Sequence, residues 1–91
     1  MPSIDIERPH SLGRERARAI VEQVAERMQQ KFGVDTRWEG DTLHFSRSGV
    51  DGTMAVDDAM VRVNARLGLL LAPLKPMIEE EIGRKLDQYL A

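Results

Sequence analysis

The first apolar positions alternate with polar ones. Ile4 and Ile6 are separated by Asp5 and bounded by Ser3 and Glu7, the period-two pattern of a strand buried on one face. Pro9 stops this strand, and Ser11 is the expected N-cap of the next element. Over residues 12–32 the period lengthens. Ala17, Ile20, Val21, Val24, Ala25, Met28 and Phe32 recur at spacings of three and four, which stacks them on one side of a helix. Gly33 then supplies the left-handed residue that commonly closes a helix.

Residues 34–67 return to alternation. Trp38 stands between Arg37 and Glu39; Leu43 and Phe45 flank His44; Met54 and Val56 flank Ala55; Val61, Val63, Ala65 and Leu67 alternate with Arg62, Asn64 and Arg66. The segments between these runs, Gly40-Asp41, Gly49-Val50-Asp51-Gly52 and Asp57-Asp58-Ala59, carry turn residues at hairpin lengths. Connections this short join only antiparallel neighbours, so the pattern predicts a four-stranded meander. A second helix follows, with Met77, Ile78, Ile82, Leu86, Tyr89 and Leu90 as its buried stripe and Pro73 and Pro76 at its start, where a missing N–H costs little. Glu79, Glu80 and Glu81 fall near its positive end, and Glu80–Arg84 and Glu81–Lys85 have the spacing of stabilising pairs. The order β-α-β-β-β-β-α is that of an α+β domain: a four-stranded antiparallel meander plus a short N-terminal strand, with two helices on one face.

Composition narrows the class. The 91 residues suit one domain over 1–91. Thirteen basic against 15 acidic side chains give a formal charge of −2, the wrong balance for gripping nucleic acid. The chain has no cysteine, so disulfides and thiolate chemistry are excluded and a reducing, cytoplasmic setting is expected. No run approaches the roughly 18 apolar residues of a membrane span, and the charged N-terminal segment does not read as a signal peptide.

Catalytic signals are sparse. His10 precedes the first helix and His44 sits on the wet face of a strand, neither with an orienting partner in sequence. Asp51, Asp57 and Asp58 occupy turns that could approach one another, but without the spacing of a calcium loop; no metal or cofactor is expected. Arg8, His10, Arg14, Arg16 and Arg18 gather about the first helix's N-terminus, where free N–H groups beside arginines form an anion site or a contact for an acidic partner; Arg8, His10, Arg14 and Arg18 are the candidates. A second set, Arg37, Arg47, Arg62 and Arg66, is placed on the sheet's outer face. The most apolar stretch, Leu67 to Leu74, falls at a connection. Either it is a short turn plugging the end of the core, or Leu69, Leu70, Leu71 and Leu74 form an exposed lip that docks on an apolar surface.

Several segments carry a resemblance when taken in order: Pro2-Ser3-Ile4, Arg8-Pro9-His10-Ser11-Leu12, Trp38-Glu39-Gly40-Asp41-Thr42-Leu43-His44-Phe45, Arg47-Ser48-Gly49-Val50-Asp51-Gly52, Leu67-Gly68 and the helix bearing Ile78-Glu79, Ile82 and Leu86. Over nearly its whole length the chain resembles the small bacterial polyhydroxyalkanoic acid system proteins. The resemblance implies a protein encoded beside genes for making, using and coating polyhydroxyalkanoate storage granules, acting in granule association or regulation. It brings no catalytic or ligand residues with it.

The expected function is a non-enzymatic accessory protein of polyhydroxyalkanoate metabolism, cytoplasmic and granule-associated. It would bind granule proteins or the granule surface through the leucine lip, with Arg14 and Arg18 steering toward acidic partners. The alternative is a small helix-grip-like binder of an acyl or hydroxyacyl ligand, held between sheet and helices against Met28, Trp38, Phe45 and Met54. The open meander leaves edge strands, so a monomer or weak homodimer is expected.

Overall fold

The computed structural model describes residues 3–90; Pro2, the first residue of the motifs above, lies outside them. Strand β1 (Ser3–Pro9) is followed by helix α1 (Arg14–Phe32), then β2 (Asp35–Glu39), β3 (Thr42–Arg47), β4 (Val50–Val56) and β5 (Met60–Leu67). A 3-10 helix (Leu69–Leu74) leads into α2 (Lys75–Leu90). The strands form one antiparallel sheet in the order β1-β5-β4-β3-β2. The predicted meander is therefore intact, and the N-terminal strand joins it at the free edge of β5, pairing Ile4 with Ala65 and Ile6 with Val63. Both edges carry charge, Asp5 and Glu7 on β1 and Arg37 and Glu39 on β2, which discourages uncontrolled strand addition.

Both helices cover one face. Ile4, Val21, Val24, Met28, Leu43, Phe45, Met54, Val61, Leu67, Ile82 and Leu86 are at most 2% exposed and interlock in one core. The helices run antiparallel: Lys31, late in α1, pairs with Glu81, early in α2, while Leu12 and Arg16 share a cleft with Tyr89 near the end of α2.

Several local expectations change. The first helix starts at Arg14, with Gly13 and not Ser11 at its cap. The Nδ1 of His10 takes up the Leu12 N–H at 3.2 Å, which keeps the segment turning before helical bonding begins. Gly33 closes α1 as expected, its N–H donating to the Gln29 carbonyl. Residues 50–52 are not turn but strand. Gly52 lies inside β4 opposite Phe45, and the ring covers it so closely that a Cβ there would stand 2.5 Å from Phe45 Cζ.

In α2, Met77 faces outward at 51% exposure, whereas Glu81 is buried at 4%. Glu81 does not pair with Lys85. Its Oε2 accepts from Lys31 Nζ at 3.1 Å and from Arg84 Nη2 at 2.7 Å. The Lys31 hydrogen bond, joined by that of Arg84, outweighs burial and holds the Glu81 carboxyl below the usual carboxylate range. A stripe read from spacing alone misplaces both residues because α1 supplies a cation to one side of α2, and a paired carboxylate can be buried there.

Candidate functional site

The sheet has two ends, and they divide the candidate residues between them. At one end lie the β2–β3 and β4–β5 turns and the start of α1; Val56 donates its N–H to the Asp41 carbonyl there. At the other lie the β3–β4 turn, the end of α1 and the 3-10 helix. Arg47 Nη1 donates to the Phe32 carbonyl at 2.7 Å, and Gly68 donates its N–H to the Gly49 carbonyl at 2.8 Å. Along β5 the ends are roughly 23 Å apart at the usual rise of an extended strand.

The N-terminal basic cluster belongs to the first end, and among the described residues all of its members except Arg16 are engaged by the chain itself. Arg14 reaches Asp41 at 3.3 Å and Asp58 at 3.7 Å, and Arg18 reaches Asp41 at 3.2 Å. Arg18 also lies over the Trp38 ring, 4.4 Å from its centroid, an arrangement that stabilises a cation on an aromatic face. The Trp38 indole N–H donates to Glu22. Arg8 is drawn away to Asp87 on α2 at 2.7 Å. His10 Nε2 lies 2.9 Å from the Asp57 carbonyl while Nδ1 accepts from Leu12; a neutral ring carrying its proton on Nε2 satisfies both. The expected anion contact of Arg8, His10, Arg14 and Arg18 is thus replaced by a set of internal ties. Sequence could not show this, because the carboxylates come from the β2–β3 and β4–β5 turns and from α2, 23 or more residues away along the chain.

The acidic turns do not converge either. Asp57 accepts the N–H groups of Ala59 and Met60 at 2.8 and 2.7 Å, and these two bonds hold its carboxyl below the ordinary range. Asp51 lies at the opposite end of β4, across from Ser46 and Arg66 in the strand register. The outer sheet face carries Arg37, Arg62 and Arg66 beside Asp5, Glu7 and Glu39. Asn64 donates to Asp5 at 2.6 Å, Arg62 pairs with Glu7 at 3.5 Å, and His44 stands 3.8 Å from Glu39. Arg47, expected on this face, points to the helix side and caps α1, where its charge meets the negative end of the helix dipole.

The acyl-ligand alternative requires a chamber between sheet and helices. Met28, Phe45 and Met54 are packed into the shared core, the space over Gly52 is occupied by the Phe45 ring, and Trp38 is at the margin with Arg18 and Glu22. The space an acyl chain would need holds side chains instead.

The leucine run divides: two of its four expected lip residues are exposed and two are not. Leu71 and Leu74 fold back against the core, and a Cβ at Gly49 would stand 2.9 Å from Leu71 Cδ1. Gly49 has φ 87°, so glycine there serves both the hairpin turn and the seat of Leu71. Leu69 and Leu70, by contrast, project into solvent at 82% and 95% exposure. Each forgoes about 1.5–3 kcal/mol that burial would give, which in so small a domain singles the pair out. Their backbone is held: Gly68 is tied to Gly49, Leu71 donates its N–H to the Gly68 carbonyl at 3.1 Å, and Pro73 lies within the same turn. Met77, on the first turn of α2, adds a third exposed apolar side chain. The candidate site is this preformed apolar tip.

The sequence model of the family described as "Putative polyhydroxyalkanoic acid system protein" matches residues 4–90. No curated protein and no solved structure matches the chain.

Proposed function

From the premise that the chain belongs to the polyhydroxyalkanoic acid system protein family, we propose that it is a non-enzymatic accessory protein of polyhydroxyalkanoate storage that attaches to granules. The attachment is made by Leu69 and Leu70, to a granule-associated protein or to the granule surface. The observation that carries this reading is the exposure of two adjacent leucines on a tied backbone at the sheet's end. A polyester granule is an apolar phase coated by proteins, and an ordered apolar tip binds such a surface without first losing conformational freedom. The non-enzymatic part is supported by the histidines: both ring nitrogens of His10 serve the chain's own backbone, and His44 lies on the exposed sheet face beside Glu39.

Co-sedimentation of the purified protein with granules, native and stripped of their protein coat, tests the reading. The wild-type chain is expected in the granule fraction. Leu70→Ser, at a residue that touches almost nothing, is expected to fold normally and to lose about tenfold in affinity, the worth of one buried leucine side chain at its lower bound. Unchanged recovery of a folded Leu69→Ser/Leu70→Ser protein would remove the tip from the function. Binding to stripped granules assigns the contact to the surface, and binding to coated granules alone assigns it to a coat protein.

A further inference from the structure

The arginines at the tip are not Arg14 and Arg18, expected to steer partners, but Arg47 and Arg66. Arg47 and Arg66 line a cleft of about 270 Å³ at its base, whose other walls are Gly49, Val50, Asp51, Leu67 and Gly68. Both side chains are exposed. Among the described residues neither makes an ion pair; Arg47 uses one guanidinium nitrogen on the Phe32 carbonyl. Asp51 is the carboxylate in the cleft, so two cations face one anion. The arrangement is an apolar apex with net positive charge one step behind it.

Shape decides which kind of partner this fits. Leu69 and Leu70 stand clear of the chain at 82% and 95% exposure, and neither lines the cleft beneath them, so they protrude and do not form the wall of a groove for a partner's helix or strand. A fluid apolar layer needs no complementary groove. It takes up protruding leucines, while cations set slightly back remain at the level of its anionic groups. We propose that Leu69 and Leu70, with Arg47 and Arg66 behind them, form an insertion device for an anionic lipid surface, the leucines entering the acyl layer and the guanidiniums meeting the phosphate groups. This rests on the reading of the tip as the attachment site and specifies what it attaches to.

Co-sedimentation of the full chain with vesicles of phosphatidylglycerol and phosphatidylcholine in equal parts, against phosphatidylcholine alone, tests it. Binding is expected on the mixed vesicles and at least tenfold weaker on the neutral ones. Arg66→Gln should weaken it about fivefold, the usual worth of one arginine at an anionic surface, and Leu70→Ser about tenfold. Arg16→Gln removes the same charge at the far end of α1 and should change nothing, which separates the local arrangement from the chain's overall charge of −2. Equal binding to both vesicles, or equal losses from Arg16→Gln and Arg66→Gln, would overturn the proposal. Granule binding without vesicle binding would overturn it while leaving granule attachment standing. Failure on both would end both.

Discussion

Replacing Gly52 by alanine is expected to remove about 3 kcal/mol of stability, the upper part of the range for overpacking a filled core. The new Cβ would stand 2.5 and 2.8 Å from the Phe45 ring and 2.7 Å from the Asn64 carbonyl oxygen. The carbonyl belongs to the β4–β5 ladder and cannot yield without disturbing it. The ring is 1% exposed and sits within the packed core cluster. A domain of this length holds only about 5–14 kcal/mol in total, so the loss is a large share. Urea unfolding followed by the emission of Trp38, the chain's single tryptophan, measures it. Phe45→Leu in the same protein removes the ring atoms but not the carbonyl contact, so the double variant should be more stable than the sum of the single losses. A Gly52→Ala protein within about 0.5 kcal/mol of wild type, the additivity error of such measurements, would mean that the ring does not fill this space.

The second large effect concerns Glu81. Removing both of its cations with Lys31→Met and Arg84→Met leaves a buried carboxylate uncompensated, a change that typically costs about 3–5 kcal/mol. Either substitution alone leaves one cation on the same oxygen, so the singles should sum to clearly less than the double. Acidity gives a second readout. In the wild type the folded carboxyl sits below its ordinary value of 4.5. Its stabilising contribution is therefore present above the unfolded value and is lost as pH falls through the folded one. Without the cations burial dominates and raises the folded value, so the sign reverses: the double variant loses stability as pH rises past the ordinary value. Unfolding curves of the two proteins should converge in acid and diverge toward neutrality. Parallel curves would show that the ion cluster is not what buries Glu81.

These two sites mark where pattern reading stops. Gly52 reads as turn because glycine beside Asp51 and Gly49 carries a turn signal; the same residue is compatible with a strand interior when another side chain approaches the backbone closely, and the approaching ring is Phe45, seven positions earlier. Glu81 reads as an acid near the positive end of its helix, paired with Lys85, because its partner Lys31 is 50 residues away. The leucine run was legible as an anomaly, since a continuous apolar stretch at a connection fits neither helix nor strand spacing. Which leucines would be covered was not legible, because that depends on Gly49 giving Leu71 a seat.

Local period and turn chemistry determined the elements, their order, the antiparallel meander and the face each strand buries, because these follow from side-chain direction along a few consecutive residues and from connections too short for any other pairing. Only the tertiary structure decided which charges meet. It brought Asp41 to Arg14 and Arg18, Asp87 to Arg8 and Lys31 to Glu81, turning a basic cluster into internal ties. It also set Arg47, and not Arg14 or Arg18, with Arg66 and Gly68 at the foot of the exposed Leu69 and Leu70. The reason is geometric: a seven-residue strand carries neighbouring elements to opposite ends of the sheet, while hairpin return brings distant ones together, and an ion pair depends on that separation in space and not on separation along the chain.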